Sequence, residues 1–258
     1  MNTKKIKTLV KTPGDKWHLK DFVISNFPDN YEQMTYVEPF CAGATIYLNK
    51  NPSSSEIISD IDDGFIAMFK AIRDEPKEFF TRIKRTTYTE RAFKMAFNKS
   101  HQEFEDYIDK AVNEYILRKM SRGGLKKTFL MSDKLSEESE DESAWQETSD
   151  KIDEISQRLK NTTILCKNYI QILKFWDEAD TLFYLDPPEL RPVEGVVMPN
   201  EFSVEDHMNL IQLAKNSKAK IIISGVSCPL YNRSFKNWKC KKKPTNAKGK
   251  VECLWVNY

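Results

Sequence analysis

Short apolar runs alternate with helix-period segments at both ends of this chain, and two of those runs stop at an acid. Tyr36-Val37-Glu38-Pro39-Phe40 runs into the small-residue turn Cys41-Ala42-Gly43-Ala44, and Glu56-Ile57-Ile58-Ser59-Asp60 ends on a carboxylate. Thr163 to Cys166, Thr181 to Leu185, Ile221 to Ser224 and Val251 to Val256 also read as strands. Between them lie segments with helical spacing: Leu19, Val23 and Phe27; Ile46 to Leu48, stopping at Asn51-Pro52; Phe65, Met68, Phe69 and Ile72; and Val204 to Asn216. Asp62 or Asp63 is placed to cap the third of these helices and Ser203 the last. This alternation is the mark of an open α/β sheet.

The middle of the chain breaks that rhythm. From Pro76 to about Leu130 the apolar positions keep helical spacing (Phe79, Phe80, Ile83; Phe93, Phe97; Phe104, Ile108, Ala111, Tyr115), and Ile152, Ile155 and Leu159 mark one more amphipathic helix. The expected layout is one α/β domain from residues 1–75 and 160–258, interrupted by a helical insertion at 76–159 with an acidic mobile loop near 132–144. A chain of 258 residues has room for a domain and an insertion, not for several modules.

Charge is nearly balanced overall, at +2, but it is segregated. Asp133 to Asp153 is acidic and Lys239 to Lys250 is basic, with Trp238 beside it. Each block reads as a solvated face or loop, and the basic one can also touch phosphates. No apolar run reaches the roughly 20 residues of a membrane span, and the basic stretch Met1 to Val10 lacks the features of a secretory signal. The five cysteines have neither zinc nor redox spacing, which fits a reducing, cytoplasmic setting with no metal site.

Ligands of open α/β sheets bind beyond the carboxyl ends of the strands. At the first strand end, small residues allow close backbone approach, and Asp60 lies near the offset at which an acid accepts ribose hydroxyls. This reads as a nucleoside site, or as a packed turn capping a helix. At Tyr184-Leu185-Asp186-Pro187-Pro188-Glu189, the prolines supply carbonyls without N–H donors. Together with Asp186 they form an acceptor-only corner suited to an exocyclic amino group. The same Pro-Pro pair also serves as a simple strand stop.

Taken together, these segments resemble the S-adenosylmethionine-dependent DNA adenine methyltransferases of the Dam type, in the family's motif order and over most of the chain. Lys11-Thr12-Pro13-Gly14-Asp15-Lys16 resembles the N-terminal cofactor motif, and Glu38-Pro39-Phe40-Cys41-Ala42-Gly43 the turn that wraps the cofactor. Ser59-Asp60-Ile61-Asp62 is similar to the ribose-holding strand end, and Asp186-Pro187-Pro188 matches the catalytic motif. Arg118 to Leu125 resembles part of the target-recognition insertion, and Val251 to Asn257 the closing strand. The resemblance implies a Rossmann-like mixed sheet with helices on both faces and an inserted helical target-recognition subdomain. It implies methyl transfer to adenine N6 in double-stranded DNA with base flipping. Thr12, Lys16, Phe40, Gly43, Asp60 and Asp186 are its cofactor candidates, and Asp186, Pro187, Pro188 and Glu189 occupy the catalytic motif. Arg118, Arg122, Lys126 and Lys127 are the DNA-contact candidates. The three histidines, His18, His101 and His207, read as structural or surface residues.

Several positions depart from the family pattern. Glu189 replaces the aromatic residue that stacks on the flipped adenine and puts a second negative charge near Asp186. Ala42 stands where glycine is usual, which a negative φ would accommodate, and Asn168 stands where relatives carry an acid. Three readings follow: an active adenine methyltransferase in which Tyr169 or Tyr184 stacks instead; an impaired methyltransferase fold acting as a DNA- or partner-binding subunit; and a methyltransferase acting on amino groups of RNA or protein.

Overall fold

A computed structural model gives the structure of residues 5–130, 142–190, 202–245 and 251–258. Most of the expected acidic loop near 132–144 lies outside the described residues, as does the segment 191–201 after the Asp-Pro-Pro corner.

In chain order the described residues form α1 (Lys20–Ile24), β1 (Thr35–Glu38), α2 (Thr45–Asn49), β2 (Ser55–Asp60), α3 (Asp63–Asp74), α4 (Pro76–Lys84), α5 (Glu90–Lys99), α6 (Tyr107–Lys119) and α7 (Glu142–Leu159). Then follow β3 (Thr163–Cys166), α8 (Tyr169–Phe175), β4 (Thr181–Leu185), α9 (Val204–Asn216), β5 (Lys220–Val226), α10 (Pro229–Ser234), β6 (Lys239–Pro244) and β7 (Val251–Val256). The expected caps form. Asp62 Oδ1 accepts from the Gly64 and Phe65 N–H groups at the start of α3, and Ser203 and Asp206 close a capping box on α9.

The chain divides into two compact units. One comprises Met1–His18, Ala42–Lys50 and Asp62–Cys166; the other comprises Leu19–Cys41, Asn51–Ile61 and Lys167–Tyr258. The first unit is mainly helical. Its α3 and α6 pack side by side, burying Phe65, Phe69 and Ile72 of one and Ala111 and Tyr115 of the other. Phe79 of α4 meets Tyr115 edge-on, with ring centroids 6.1 Å apart.

The strands of the second unit form a mixed sheet in the order β2-β1-β4-β5-β7-β6. Pairing is parallel from β2 through β5, and antiparallel from β5 to β7 and from β7 to β6. All five residues of β4 are buried, as expected of a central strand covered on both faces. This is the Rossmann-like sheet that the motifs implied. Where β1 sends one connection to β2 and pairs on its other side with β4, the strand order reverses, and such a switch point opens a crevice at the carboxyl edge.

The first part of the basic block is a solvated face, as one of the two expected readings had it, and its conformation is a strand: Lys239–Pro244 is the edge strand β6, paired with β7 along its whole length. Its lysines leave no apolar alternation to read, because an edge strand is mostly solvated and charge there discourages pairing with other chains. Among the described residues no helix is long and apolar enough to cross a membrane.

Candidate active site

The ladder registers align the strand ends of the second unit. Glu38 of β1 pairs with Ile58 of β2, Val37 with Phe183 of β4, and Tyr184 with Ile222 of β5. Ile58, Glu38, Tyr184 and Ile222 therefore share a row, and Asp60 and Asp186 each lie two residues beyond it. A two-residue offset keeps both carboxylates on the same face of the sheet. With only β1 between them, two strand spacings put them about 10 Å apart. The two acids picked out by sequence thus stand at one edge, on either side of β1.

The turn leaving β1 is pinned by the Cys41 N–H, which donates to the Ser59 carbonyl at 3.0 Å. Phe40, next in the turn, stacks on Tyr169 (5.2 Å, 28° between planes) and meets Phe202 edge-on. Asn168 caps α8, its Oδ1 accepting from the Ile170 N–H at 2.8 Å, so its side chain is already in use. The expectation that Tyr169 or Tyr184 replaces the missing stacking ring is corrected. Both are buried, the face of Tyr169 is taken by Phe40, and neither lines the cavity beside Asp-Pro-Pro.

That cavity, of about 510 Å³, opens beside the Asp-Pro-Pro corner and lies wholly in the second unit. Pro187, Pro188 and Glu189 form one wall; Ser224 to Cys228, at the end of β5, and Trp255 of β7 form others. Glu189 is exposed at its rim. Beneath the carboxyl edge are two buried acids that sequence reasoning did not single out. Glu38 accepts from the Tyr36 hydroxyl at 2.6 Å, and Glu252 accepts from the Ser224 hydroxyl at 2.6 Å. Burial, and then the charge of Glu38, keep the Tyr36 phenol protonated.

His207 also lines the cavity. Its Nδ1 lies 2.8 Å from the Tyr231 hydroxyl, and burial drives its pKa down to about 4, with Asp206 alone pulling upward. The ring is therefore neutral at neutral pH. A folded pKa below the ordinary 6.5 means that its contribution to stability is complete above pH 6.5 and is lost as pH falls through about 4. Allowing for solvent screening, that loss is about 1–2 kcal/mol. Thermal melts between pH 7 and 4 should show a steeper decline for the wild type than for His207→Asn; parallel declines would exclude this histidine as the source.

The first unit holds the other cofactor candidates. A Cβ at Gly43 would sit 3.1 Å from Thr12 Cγ2, so only glycine leaves Thr12 its present place. Asp15 accepts from the Thr45 hydroxyl at 2.6 Å, and Lys16 Nζ donates to the Gly14 carbonyl at 3.4 Å. The condition under which Ala42 would fit without strain, a negative φ, is not met: φ is +41° at Ala42 and +55° at Ala44. The turn into α2 needs left-handed backbone at both, which costs an L-residue about 1–2 kcal/mol. Ala42→Gly should consequently stabilise the protein by about 1 kcal/mol and raise the melting midpoint by about 2–4 °C; a lower midpoint would contradict the strain.

The DNA-contact candidates separate into two pairs. Arg118 is not available to phosphate, which corrects its assignment: it is 5% exposed, is bonded to Glu114 and to Asp62 (2.8 Å), and lies 3.6 Å over the Phe65 ring. Its reach to the Gly124 carbonyl (3.3 Å) braces the following turn. Lys126 Nζ joins the same acids, at 3.1 Å from Glu114 and 3.4 Å from Asp62. Burial pushes the Asp62 carboxyl up, but Lys126 and Arg118 outweigh it and hold it below the usual range. Spacing alone shows Arg118 and Glu114 one helical turn apart, but not that both face inward. Arg122 and Lys127 are exposed. Among the described residues no group of three histidine, cysteine or acidic side chains is placed to hold a metal ion.

Two comparisons with known proteins bear on this arrangement. A type II methyltransferase, M.CviBI of Paramecium bursaria Chlorella virus NC1A, is 23% identical over 242 residues, covering 84% of this chain and 82% of that protein. The family model for D12 class N6 adenine-specific DNA methyltransferases matches residues 13–246, which include the Asp-Pro-Pro corner, both aligned acids and the entire helical stretch. A match of that extent, with the motif acids aligned at one sheet edge, places the chain in the D12 class of N6 adenine-specific DNA methyltransferases.

Proposed function

We propose that the chain uses Asp186, Pro187 and Pro188 to hold the N6 amino group of a DNA adenine for methylation by S-adenosylmethionine. The observation that carries this reading is the shared row of Asp60 and Asp186 at the carboxyl edge, flanking the switch point beside β1. S-adenosylmethionine, when bound, supplies an electrophilic methyl group. Phe40, Asp60 and Asp186 are the candidates of the second unit to hold it, and Thr12, Lys16 and Gly43 those of the first. The tight packing of Gly43 against Thr12 and the carboxylate ending β2 suit a nucleoside ligand.

The corner acts on the amino group. The Asp186 carboxylate and the proline carbonyls accept its two hydrogens, which draws the nitrogen lone pair out of conjugation with the ring and leaves it nucleophilic. Adenine has to leave the duplex stack to get there, at a cost of a few kcal/mol. The cavity beyond Pro188 accommodates the extruded base. Residues 76–159 serve as the target-recognition insertion, with exposed Arg122 and Lys127 reaching phosphate while Arg118 and Lys126 hold their turn in place.

Incubation with radiolabelled cofactor and adenine-containing duplex tests the reading, with label expected in DNA and none in RNA or protein. Glu189→Tyr restores a stacking face worth roughly 1–3 kcal/mol, so transfer should rise by about tenfold. If the variant gains nothing while cofactor binding is intact, Glu189 is not what limits the rate. A silent wild type revived by Glu189→Tyr would favour the impaired-subunit reading.

A further inference from the structure

We propose that Ser224, oriented by the buried carboxylate of Glu252, is an additional acceptor that selects an amino-bearing base in the cavity beside Asp-Pro-Pro. The inference rests on the reading of that cavity as the pocket for the extruded adenine. Ser224 lies one strand from Asp186: Leu185 of β4 pairs with Ile223 of β5, so the next residues, Asp186 and Ser224, come side by side. Neighbouring strands are about 4.8 Å apart, within the span of one amino group and its two hydrogens. Ser224 also lines the cavity together with Pro187 and Pro188.

The chemistry turns on one proton. A serine hydroxyl has a single hydrogen and two lone pairs. Here the hydrogen is committed to Glu252, at 2.6 Å, and both residues are buried, with Ser224 1% and Glu252 3% exposed. The buried Tyr184 phenol lies against the same oxygen, so what remains for a ligand is one lone pair and no hydrogen. Beside a carboxylate and proline carbonyls, Ser224 therefore extends a wall that accepts and never donates, and it shares with Asp186 the amino hydrogen on that side. Such a wall suits the amino group of adenine and repels the carbonyl oxygen that hypoxanthine carries at the same ring position. Burying a carboxylate is costly unless it is paired, and the Ser224 hydroxyl is one of the partners of Glu252. In this reading Ser224 touches the substrate, and Glu252 is a positioning residue acting through it.

The test measures binding, so it does not depend on turnover. Thymine single strands carrying one central adenine or one central hypoxanthine are titrated into the full chain, with S-adenosylhomocysteine saturating so that the cofactor's own nucleoside pocket is filled. The wild type should prefer adenine by about tenfold, and Ser224→Ala should reduce that ratio to about twofold or less. Ser224→Thr, which keeps the hydroxyl, should restore it. Glu252→Leu frees the serine proton to face the cavity and should move the preference toward hypoxanthine, whereas a merely structural glutamate would weaken both strands alike. Melting midpoints identify any variant that fails to fold, and in that event Ser224→Ala and Ser224→Thr decide.

An unchanged ratio in Ser224→Ala, or a wild type without preference, overturns the proposal. Asp186→Ala separates it from the reading beneath it. If Asp186→Ala abolishes the preference while Ser224→Ala does not, only the role of Ser224 is wrong. If Asp186→Ala leaves the preference intact, the corner does not hold the amino group at all.

Discussion

Replacing Asp186 by alanine is expected to slow methyl transfer to DNA adenine by about a thousandfold, the cost of removing one preorganised polar group from a reacting centre. Asp186 is the only side-chain acceptor in the Asp-Pro-Pro sequence, and the proline carbonyls belong to the backbone and survive any substitution there. Without the carboxylate the amino group keeps one hydrogen bond partner fewer, and its lone pair stays delocalised into the ring. Asp186→Asn should lose less, because an amide oxygen still accepts but carries no charge. Asp186 follows β4 and is only partly buried, so the alanine variant should melt close to the wild type. Initial rates with labelled cofactor, paired with a cofactor titration, check this. Near-normal rates in the alanine variant would remove Asp186 from the chemistry.

Gly124→Ala should be the most damaging glycine substitution in the first unit. A Cβ there would lie 1.9 Å from the Lys11 carbonyl oxygen, and φ is +72°. No rotamer change relieves a clash between a Cβ and backbone, so either the 122–124 turn or the Lys11–Lys16 loop has to move. The expected loss is about 3 kcal/mol or more. Because the displaced loop carries Thr12 and Lys16, proposed above as cofactor residues, cofactor affinity should fall as well. Gly123 is the control: φ is +61°, but a Cβ would meet nothing within 4 Å, so Gly123→Ala should cost only about 1 kcal/mol. Urea unfolding of the two variants compares them directly. Equal losses would mean that the turn does not rest on Lys11 as described.

These two predictions show where local reading succeeded and where it stopped. Asp186 stands out because a strand period, an acid and two prolines are adjacent in the chain, and each limits the backbone by itself. Gly124 does not, since its constraint is a carbonyl far away in sequence. The same holds for Arg118. Its spacing from Glu114 was visible, but the charge looked like a DNA contact until the inward face of α6 and the position of Asp62 were known. Ala42 was recognised as an unusual residue in its turn, although its left-handed φ of +41° belongs to the folded turn and has no signature along the chain. The lysine-rich edge strand gave no period-2 signal, because pairing with β7 sets its conformation while most of its side chains remain in solvent.

Apolar periodicity, caps and the adjacent residues of the motifs were enough to specify an α/β chain of this family, with Asp60 and Asp186 at strand ends. Such features depend on neighbours along the chain, whose geometry the backbone dictates. Tertiary structure alone decided which charges are occupied, that Tyr169 and Tyr184 are unavailable for stacking, and that Glu252 claims the Ser224 proton. Those outcomes depend on ladder register and burial, which join residues by proximity in space and leave no local pattern to read.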